Sequence, residues 1–121
     1  MSGGTITGVH SGGGNGTVTV TTSCTFNMTG GSITSNSTSY GGVKVAGGTF
    51  IMTDGSITNN RGYNGGVSAT YGGTLTISGG TISGNKTNSD ETANVMIENY
   101  GTYNGTAYGS STSPVSNQII Y

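Results

Sequence analysis

One seven-residue motif recurs four times in this chain, and its spacing limits the fold more than any other feature. The motif reads Met or Ile, Ser or Thr, Gly or Asp, Gly, and then Ile between two hydroxyl residues; it occupies residues 1–7, 28–34, 52–58 and 77–83. The start-to-start distances are 27, 24 and 25 residues. A repeat of this length is one supersecondary unit that cannot bury its apolar face alone, so it must stack on its neighbours.

Each repeat contains two further short segments that alternate apolar and polar residues, as a strand with one buried face does. The second segments begin at Val18, Val43, Val67 and Val95, and the third segments contain Phe26, Phe50, Leu75 and Tyr103. The next motif Ile follows Phe26, Phe50 and Leu75 by seven residues each time. The motif Ile and the second segment are separated by 10 to 13 residues. Length variation is therefore confined mainly to one corner of a three-sided coil.

These spacings predict an all-β fold, a right-handed parallel β-helix (β-solenoid) with three short strands per coil. About four and a half coils of 24–28 residues start near residues 1, 28, 52 and 77 and fill residues 1–105. Residues 106–121 depart from the repeat and are predicted to be an irregular tail, serving as a cap or as a docking strand. A narrow continuous core explains how a chain with only 30% hydrophobic residues folds.

Stacking is predicted to place equivalent residues in ladders about 4.7–4.9 Å apart. The inward apolar ladders are Met1/Met28/Met52/Ile77, Ile6/Ile33/Ile57/Ile82, Val18/Val43/Val67/Val95, Val20/Val45/Ala69/Ile97 and Phe26/Phe50/Leu75/Tyr103. An amide ladder is predicted at the turn three residues after the motif Ile, from Asn36, Asn60 and Asn85. We interpret these Asn residues as structural.

Outward positions carry rows of hydroxyl side chains. Two rows flank the motif Ile, and a third lies on the third segment: Thr5/Ser32/Ser56/Thr81, Thr7/Thr34/Thr58/Ser83 and Thr25/Thr49/Thr74/Thr102. The Thr-x-Thr arrangement resembles the ice-binding face of β-solenoid antifreeze proteins. Thr is also a favourable residue on any solvent-facing strand, so both interpretations of the rows stay open.

Charge is scarce, with three basic and four acidic residues and a formal net charge of −1. Phosphate neutralisation needs a basic surface, so we expect no nucleic-acid binding. The sequence contains no apolar run of membrane-spanning length, so we expect no membrane insertion.

The repeat carries a second recurring signature, Ile-x-x-Asn followed by Gly-Gly-Val. It occurs at residues 33–36 with 41–43, and at residues 57–60 with 65–67. It resembles the repeats of bacterial surface β-helix proteins, including polymorphic outer-membrane adhesins and large adhesin-like proteins of gut bacteria, over residues 1 to about 105. The resemblance implies an extracellular or cell-surface setting in which the solenoid is a stalk or an adhesive surface. An export signal and a membrane-anchoring barrel are not recognised here. We therefore expect the chain to be either a fragment of a longer protein or a subunit that assembles by itself.

Residues with catalytic chemistry are few. Enzymes built on parallel β-helices, such as polysaccharide lyases and glycosidases, need clustered carboxylates, or calcium with a basic residue. The acids here are scattered, and the single His and single Cys are expected at an exposed loop and a small corner position: Asp54, Asp90, Glu91, Glu98, His10 and Cys24. We therefore predict a non-enzymatic protein with no cofactor and no metal site.

Two aromatic residues, Tyr40 and Tyr63, precede the Gly pairs of coils two and three. Tyr side chains stack on sugars or anchor interfaces, and they also cover solenoid edges. The first of these properties makes a glycan-binding surface module one alternative function.

The ends of the predicted solenoid favour assembly. Natural proteins protect exposed strand edges with charge, proline or a covering element, and the first charged residue here is Lys44. We therefore predict a structural β-solenoid, an extracellular filament subunit or adhesin stalk segment that assembles by end-to-end stacking of coils. Its partner is a second copy in a head-to-tail homopolymer, or adjoining repeats of a longer chain. The alternatives are ice binding and glycan binding.

Overall fold

A computed structural model describes residues 1–108, 113–116 and 119–120. These residues form an all-β solenoid of about four turns, in which parallel strands of successive coils stack on one another. Two larger sheets and one short two-stranded sheet make the sides of the coil. The fold predicted from the repeat spacing is confirmed at this level.

The largest sheet collects the third side of each coil and the first side of the next. Its strands are β1 Thr5–Thr7, β4 Thr25–Thr34, β7 Thr49–Thr58, β9 Thr74–Ile77, β10 Thr81–Ser83, β12 Thr102–Tyr103, β13 Thr106–Ala107 and β15 Ile119–Ile120. The sequence predicts separate strands for the two sides, but β4 and β7 each continue through the corner. The register between them shifts at Thr29 and resumes at Ser32, so an irregularity replaces the expected break.

The second sheet has the order β14-β11-β8-β6-β3 and contains the second side of every coil. Its strands are β3 Val18–Thr21, β6 Val43–Ala46, β8 Val67–Thr70, β11 Val95–Ile97 and β14 Ser113–Ser116. All neighbours are parallel except β14, which runs antiparallel to β11.

A short ladder at the variable corner adds to the three predicted sides. Strands β2 His10–Ser11 and β5 Ser37–Thr38 pair in parallel, and single bridges continue the ladder from Ser37 to Arg61 and from Arg61 to Lys86. The corner of variable length is therefore held in register by its own backbone contacts.

The core is a column of apolar side chains in which equivalent residues pair across rungs. Ile33 pairs with Ile57, Phe50 with Leu75 and Val67 with Val95, as the repeat spacing predicts. From coil two onward the ladder members are buried except Tyr103, which is half-buried against the core. The buried members, most of them with no exposed surface, are Met28, Ile33, Val43, Val45, Phe50, Met52, Ile57, Val67, Ala69, Leu75, Ile77, Ile82, Val95 and Ile97. Stacking therefore supplies the burial that a single coil lacks.

Backbone strands of the tail lie against the C-terminal end of the solenoid. Strand β13 pairs antiparallel with β12, β14 with β11 and β15 with β10. Each side of the last coil thus has a covering strand. Residues 106–121 are predicted to be irregular, but their described part contains three short strands. The side chains beyond residue 108 lie outside the described part of the chain.

The N-terminal end differs, because β1, β2 and β3 each pair with one described strand only. The column ends here in four half-buried side chains, Met1, Ile6, Val18 and Phe26, which we call the open end face. Their partners one rung further along are fully buried. The two ends of the solenoid are therefore unlike each other.

Candidate functional site

The hydroxyl rows beside the motif Ile are present, and in each row the members of coils two and three are hydrogen-bonded to each other. Ser56 donates to Ser32 at 3.1 Å between Oγ atoms, and Thr58 donates to Thr34 at 3.1 Å between Oγ1 atoms. These four side chains are half-buried. Along the third row, Thr25 pairs with Thr49 and Thr74 with Thr102. Cross-strand hydroxyl pairs stabilise a sheet, so the first two rows have a structural role whatever else they contact.

The predicted amide ladder runs through the buried turn. The Oδ1 of Asn60 accepts from the backbone N–H and from the Nδ2 of Asn36, at 3.1 and 2.9 Å. The Oδ1 of Asn85 accepts the same two bonds from Asn60, at 2.9 and 3.0 Å. Each Nδ2 also donates to the carbonyl of a motif Ile in the preceding coil. The ladder thus ties every coil to the next.

A fourth ladder member was missed in the sequence. Asn94 accepts at its Oδ1 from the N–H and Nδ2 of Asn85, at 3.1 and 2.9 Å. It follows Asn85 by nine residues, because the long loop of coil four returns to the same turn. No periodicity signal could have found it, since it lies outside the 24- to 27-residue spacing.

Tyr40 and Tyr63 meet at the variable corner of coils two and three. Their ring centroids are 5.9 Å apart with an edge-to-face geometry. Lys44 places its Nζ 3.7 Å from the centre of the Tyr40 ring and also donates to the carbonyl of Gly14. Partial burial, followed by the nearby charge of Glu98, raises the pKa of Tyr40. Tyr40 is therefore occupied by protein contacts, whereas Tyr63 keeps 58% of its surface exposed.

Beside Tyr63 lies a cleft of about 270 Å³, formed where the coil-three corner meets the long coil-four loop. It is lined by Tyr63, Asn64, Thr87, Asn88, Glu91 and Met96, among others, and we call it the Tyr63 cleft. Its shape is held by Arg61, which donates to the Thr87 carbonyl at 3.3 Å and forms an ion pair with Asp90. The hydrogen bond from Arg61 lowers the pKa of Asp90.

Buried polar residues lie under this cleft, and sequence reasoning missed them. Asn64 is 1% exposed and Glu98 is 8% exposed, and Asn64 donates from Nδ2 to the Glu98 Oε1 at 3.1 Å. The Asn64 Oδ1 and the Oγ of the fully buried Ser68 have no hydrogen-bond partner. Ser68 is on the outward side of β8 and is nevertheless fully buried. Asn64 lies in the corner of variable length, Ser68 in β8 and Glu98 just after β11, and the apolar–polar alternation of the repeat does not predict their burial.

The remaining reactive residues are dispersed. His10 is exposed in β2, Cys24 is exposed with its Sγ 3.7 Å from the Thr21 Oγ1, and Asp54 accepts from the N–H of Gly55 at 2.7 Å. Among the described residues, no group of three or more His, Cys, Asp or Glu side chains could hold a metal ion.

Two further exposed tyrosines, Tyr71 and Tyr100, form a shallow second site with Gly72 and Asn99. Both have a positive φ, 52° and 65°. The backbone N–H of Gly72 donates to the Asn99 carbonyl at 2.9 Å, which stacks the two turns.

No family model matches this chain, and no curated protein or solved structure is significantly similar to it. The resemblance to bacterial surface repeats, and the extracellular setting it implies, therefore stay predictions. In the part of the chain that the structure describes, no helix has the length and apolar character needed to cross a bilayer.

Proposed function

We propose that this protein is a non-enzymatic structural β-solenoid that assembles through the open end face of its first coil. The observation that supports this proposal is the difference between the two ends. At one end, strands β1, β2 and β3 have no described partner on their outer side. At the other end, β13, β14 and β15 cover the last coil.

The open end face has the properties of an association surface. Ile6 and Phe26 are half-buried there, while Ile33 and Phe50 one rung away have no exposed surface. A further coil placed on this face would bury the first pair as fully as the second, and it would pair the free strand edges. Burial of apolar area is the main favourable contribution to such an association. Coil one also lacks charged side chains, which are the usual protection of an edge.

The partner that we propose is a second copy of this chain. Two open end faces meeting about a two-fold axis make an isologous contact that closes as a dimer, whereas a head-to-tail contact propagates as a fibre. The antiparallel strands on the last coil favour the face-to-face arrangement, because the edges of the last coil are already paired. In a longer chain, the same face would receive an adjoining coil.

Charges introduced on β1 test this proposal. The double variant Thr5→Lys/Thr7→Lys places two positive charges on an exposed edge strand, and in the face-to-face arrangement these charges oppose their copies. We expect the dissociation constant, measured by sedimentation velocity over a concentration series, to rise at least about 10-fold, which corresponds to roughly 1.4 kcal/mol.

The matched control is Thr53→Lys/Thr76→Lys, which adds the same charge at exposed positions of the inner strands β7 and β9. This control should associate like the wild type. A wild-type chain that stays monomeric up to high micromolar concentration would overturn the proposal, as would an equal response of the two double variants.

Ice binding has weaker support than assembly. The hydroxyls of Ser32, Ser56, Thr34 and Thr58 are half-buried and bond to each other, so they offer water a less regular array than a free row would. If this face binds ice, the wild type will show thermal hysteresis, and the Thr34→Leu variant will show less.

A further inference from the structure

We infer that the Tyr63 cleft is a binding subsite for one neutral sugar ring, such as a hexose at the end of a glycan. This inference concerns the side of the solenoid and does not depend on the assembly proposed above. Four features of the cleft support it: the size of the cavity, its mixed apolar and polar lining, the hydrogen-bonded loop that forms one wall, and the unpaired Oδ1 of Asn64.

Size and lining indicate a small polyhydroxylated ligand. The cavity of about 270 Å³ lies just below the roughly 300–1,000 Å³ typical of sites for drug-sized ligands. Tyr63 and Met96 give it apolar surface, while Asn88 and Glu91 add an amide and a carboxylate. A sugar ring presents C–H bonds on its faces and hydroxyls at its edge, and an aromatic ring beside polar side chains complements both.

The ring of Tyr63 is accessible for such a contact because the residue keeps 58% of its surface exposed. Its edge-to-face contact with Tyr40 at 5.9 Å orients the ring, and Lys44 lies over Tyr40 rather than over Tyr63. Tyr40 therefore acts as a positioning residue, and Tyr63 supplies the stacking surface.

The opposite wall is a fixed loop. The Thr87 Oγ1 accepts from the backbone N–H groups of Ser89 and Glu91, at 3.2 and 3.1 Å, and the Thr87 N–H donates to the Glu91 carbonyl at 2.8 Å. Arg61 fastens the same loop to coil three through Thr87 and Asp90. A preorganised wall reduces the entropy that ligand binding must offset. The Glu91 carboxylate is exposed and is available to accept hydrogen bonds from hydroxyls.

An unpaired acceptor completes the site. Asn64 lines the cleft, yet its Oδ1 has no hydrogen-bond partner although the residue is 1% exposed. A buried acceptor without a partner carries a free-energy cost, which a hydrogen bond from a ligand hydroxyl would remove.

The charges around the cleft narrow the class of ligand. Glu91 is the charged residue that lines the cleft, and Glu98 lies beneath it, bonded to Asn64, while the charge of Asp90 is offset by its ion pair with Arg61. The carboxylates of Glu91 and Glu98 disfavour phosphate and other anions. Within the described residues, no cluster of three or more His, Cys, Asp or Glu side chains could hold a metal ion here. A neutral ligand rich in hydroxyls fits both conditions.

The test is titration of the ¹⁵N-labelled chain with methyl α-D-glucopyranoside, methyl α-D-mannopyranoside, methyl β-D-galactopyranoside and N-acetylglucosamine, followed by NMR. We expect at least one sugar to cause saturable shifts of the Asn64 side-chain amide and of the loop from residue 87 to 91. Tyr63→Ala should weaken that binding at least about 5-fold, and Glu91→Gln, which leaves the apolar surface intact, at least about 3-fold.

Tyr71→Ala is the matched control, because Tyr71 is also an exposed tyrosine and lies on another corner. It should bind the sugar like the wild type. Absence of saturable shifts with all four sugars would overturn the inference, as would equal binding by Tyr63→Ala and the wild type. Calcium chloride alone producing the same shifts would also overturn it. Since sedimentation is measured without sugar, failure here is distinguishable from failure of the assembly proposal.

Discussion

Gly41→Ala is expected to lower the free energy of unfolding by about 3 kcal/mol or more, a large part of the roughly 5–15 kcal/mol that holds a typical domain folded. Gly41 has a φ of +102°, and a Cβ at this position would lie 1.7 Å from the carbonyl oxygen of Gly65 in the next coil. That oxygen accepts from the N–H of Gly42 at 2.9 Å. The coils cannot move apart without losing this bond, so strain at positive φ adds to a backbone clash.

Variants of two other glycines distinguish the backbone clash from the strain at positive φ. Gly72 has a φ of +75° but open space around its Cβ direction, and Gly13 has neither constraint. Gly72→Ala should therefore cost only about 1 kcal/mol of backbone strain, and Gly13→Ala should be neutral. Urea denaturation followed by far-ultraviolet circular dichroism measures all three. Equal stabilities of the Gly41 and Gly72 variants would contradict close stacking of the coils.

Asn60→Ala is expected to have a comparable effect, again about 3 kcal/mol or more. It removes the acceptor of the Asn36 N–H and one acceptor of the Asn36 Nδ2, and it removes the donor to the Ile33 carbonyl. Asn36, Asn60 and Ile33 are themselves buried, and each buried group left unsatisfied costs about 1–3 kcal/mol.

The control for the amide ladder is Asn27→Ala, because Asn27 is an exposed residue of β4. We expect its stability to stay within about 0.5 kcal/mol of the wild type. Thermal and urea unfolding of both variants give the comparison. If Asn60→Ala were as stable as Asn27→Ala, the ladder would contribute nothing to holding the coils together.

The repeat predicts the core and the ladders because stacking requires strict spacing. Phe50 and Ile57 are seven residues apart in the sequence, as are Leu75 and Ile82. Because the spacing is the same, the two segments follow the same backbone path and pair in register. The Asn ladder was predictable for the same reason, since its members keep a fixed distance from the motif Ile.

Features outside the period could not be predicted in this way. Asn94 reaches the amide ladder through a longer loop, and Glu98 is buried by tertiary contact with Asn64 rather than by alternation. The strands of the tail pair antiparallel with the last coil and share no repeat with it. In each case a long-range contact, absent from the local pattern, determines the structure.

Tyr40 and Tyr63 illustrate the same limit at the scale of side chains. Both residues precede a Gly pair, Tyr40 by one residue and Tyr63 by two, but Lys44 covers the Tyr40 ring and leaves the Tyr63 ring exposed. The Tyr63 cleft depends on this asymmetry and on the long loop of coil four.

The measurement that tests the proposed function most directly is hydrogen–deuterium exchange of the wild-type chain at low and high protein concentration. If the open end face binds a second copy, amide protection in β1 and β3 will rise with concentration, while inner strands such as β7 stay protected throughout. Exchange in β1 and β3 that is fast and independent of concentration would contradict assembly through this face.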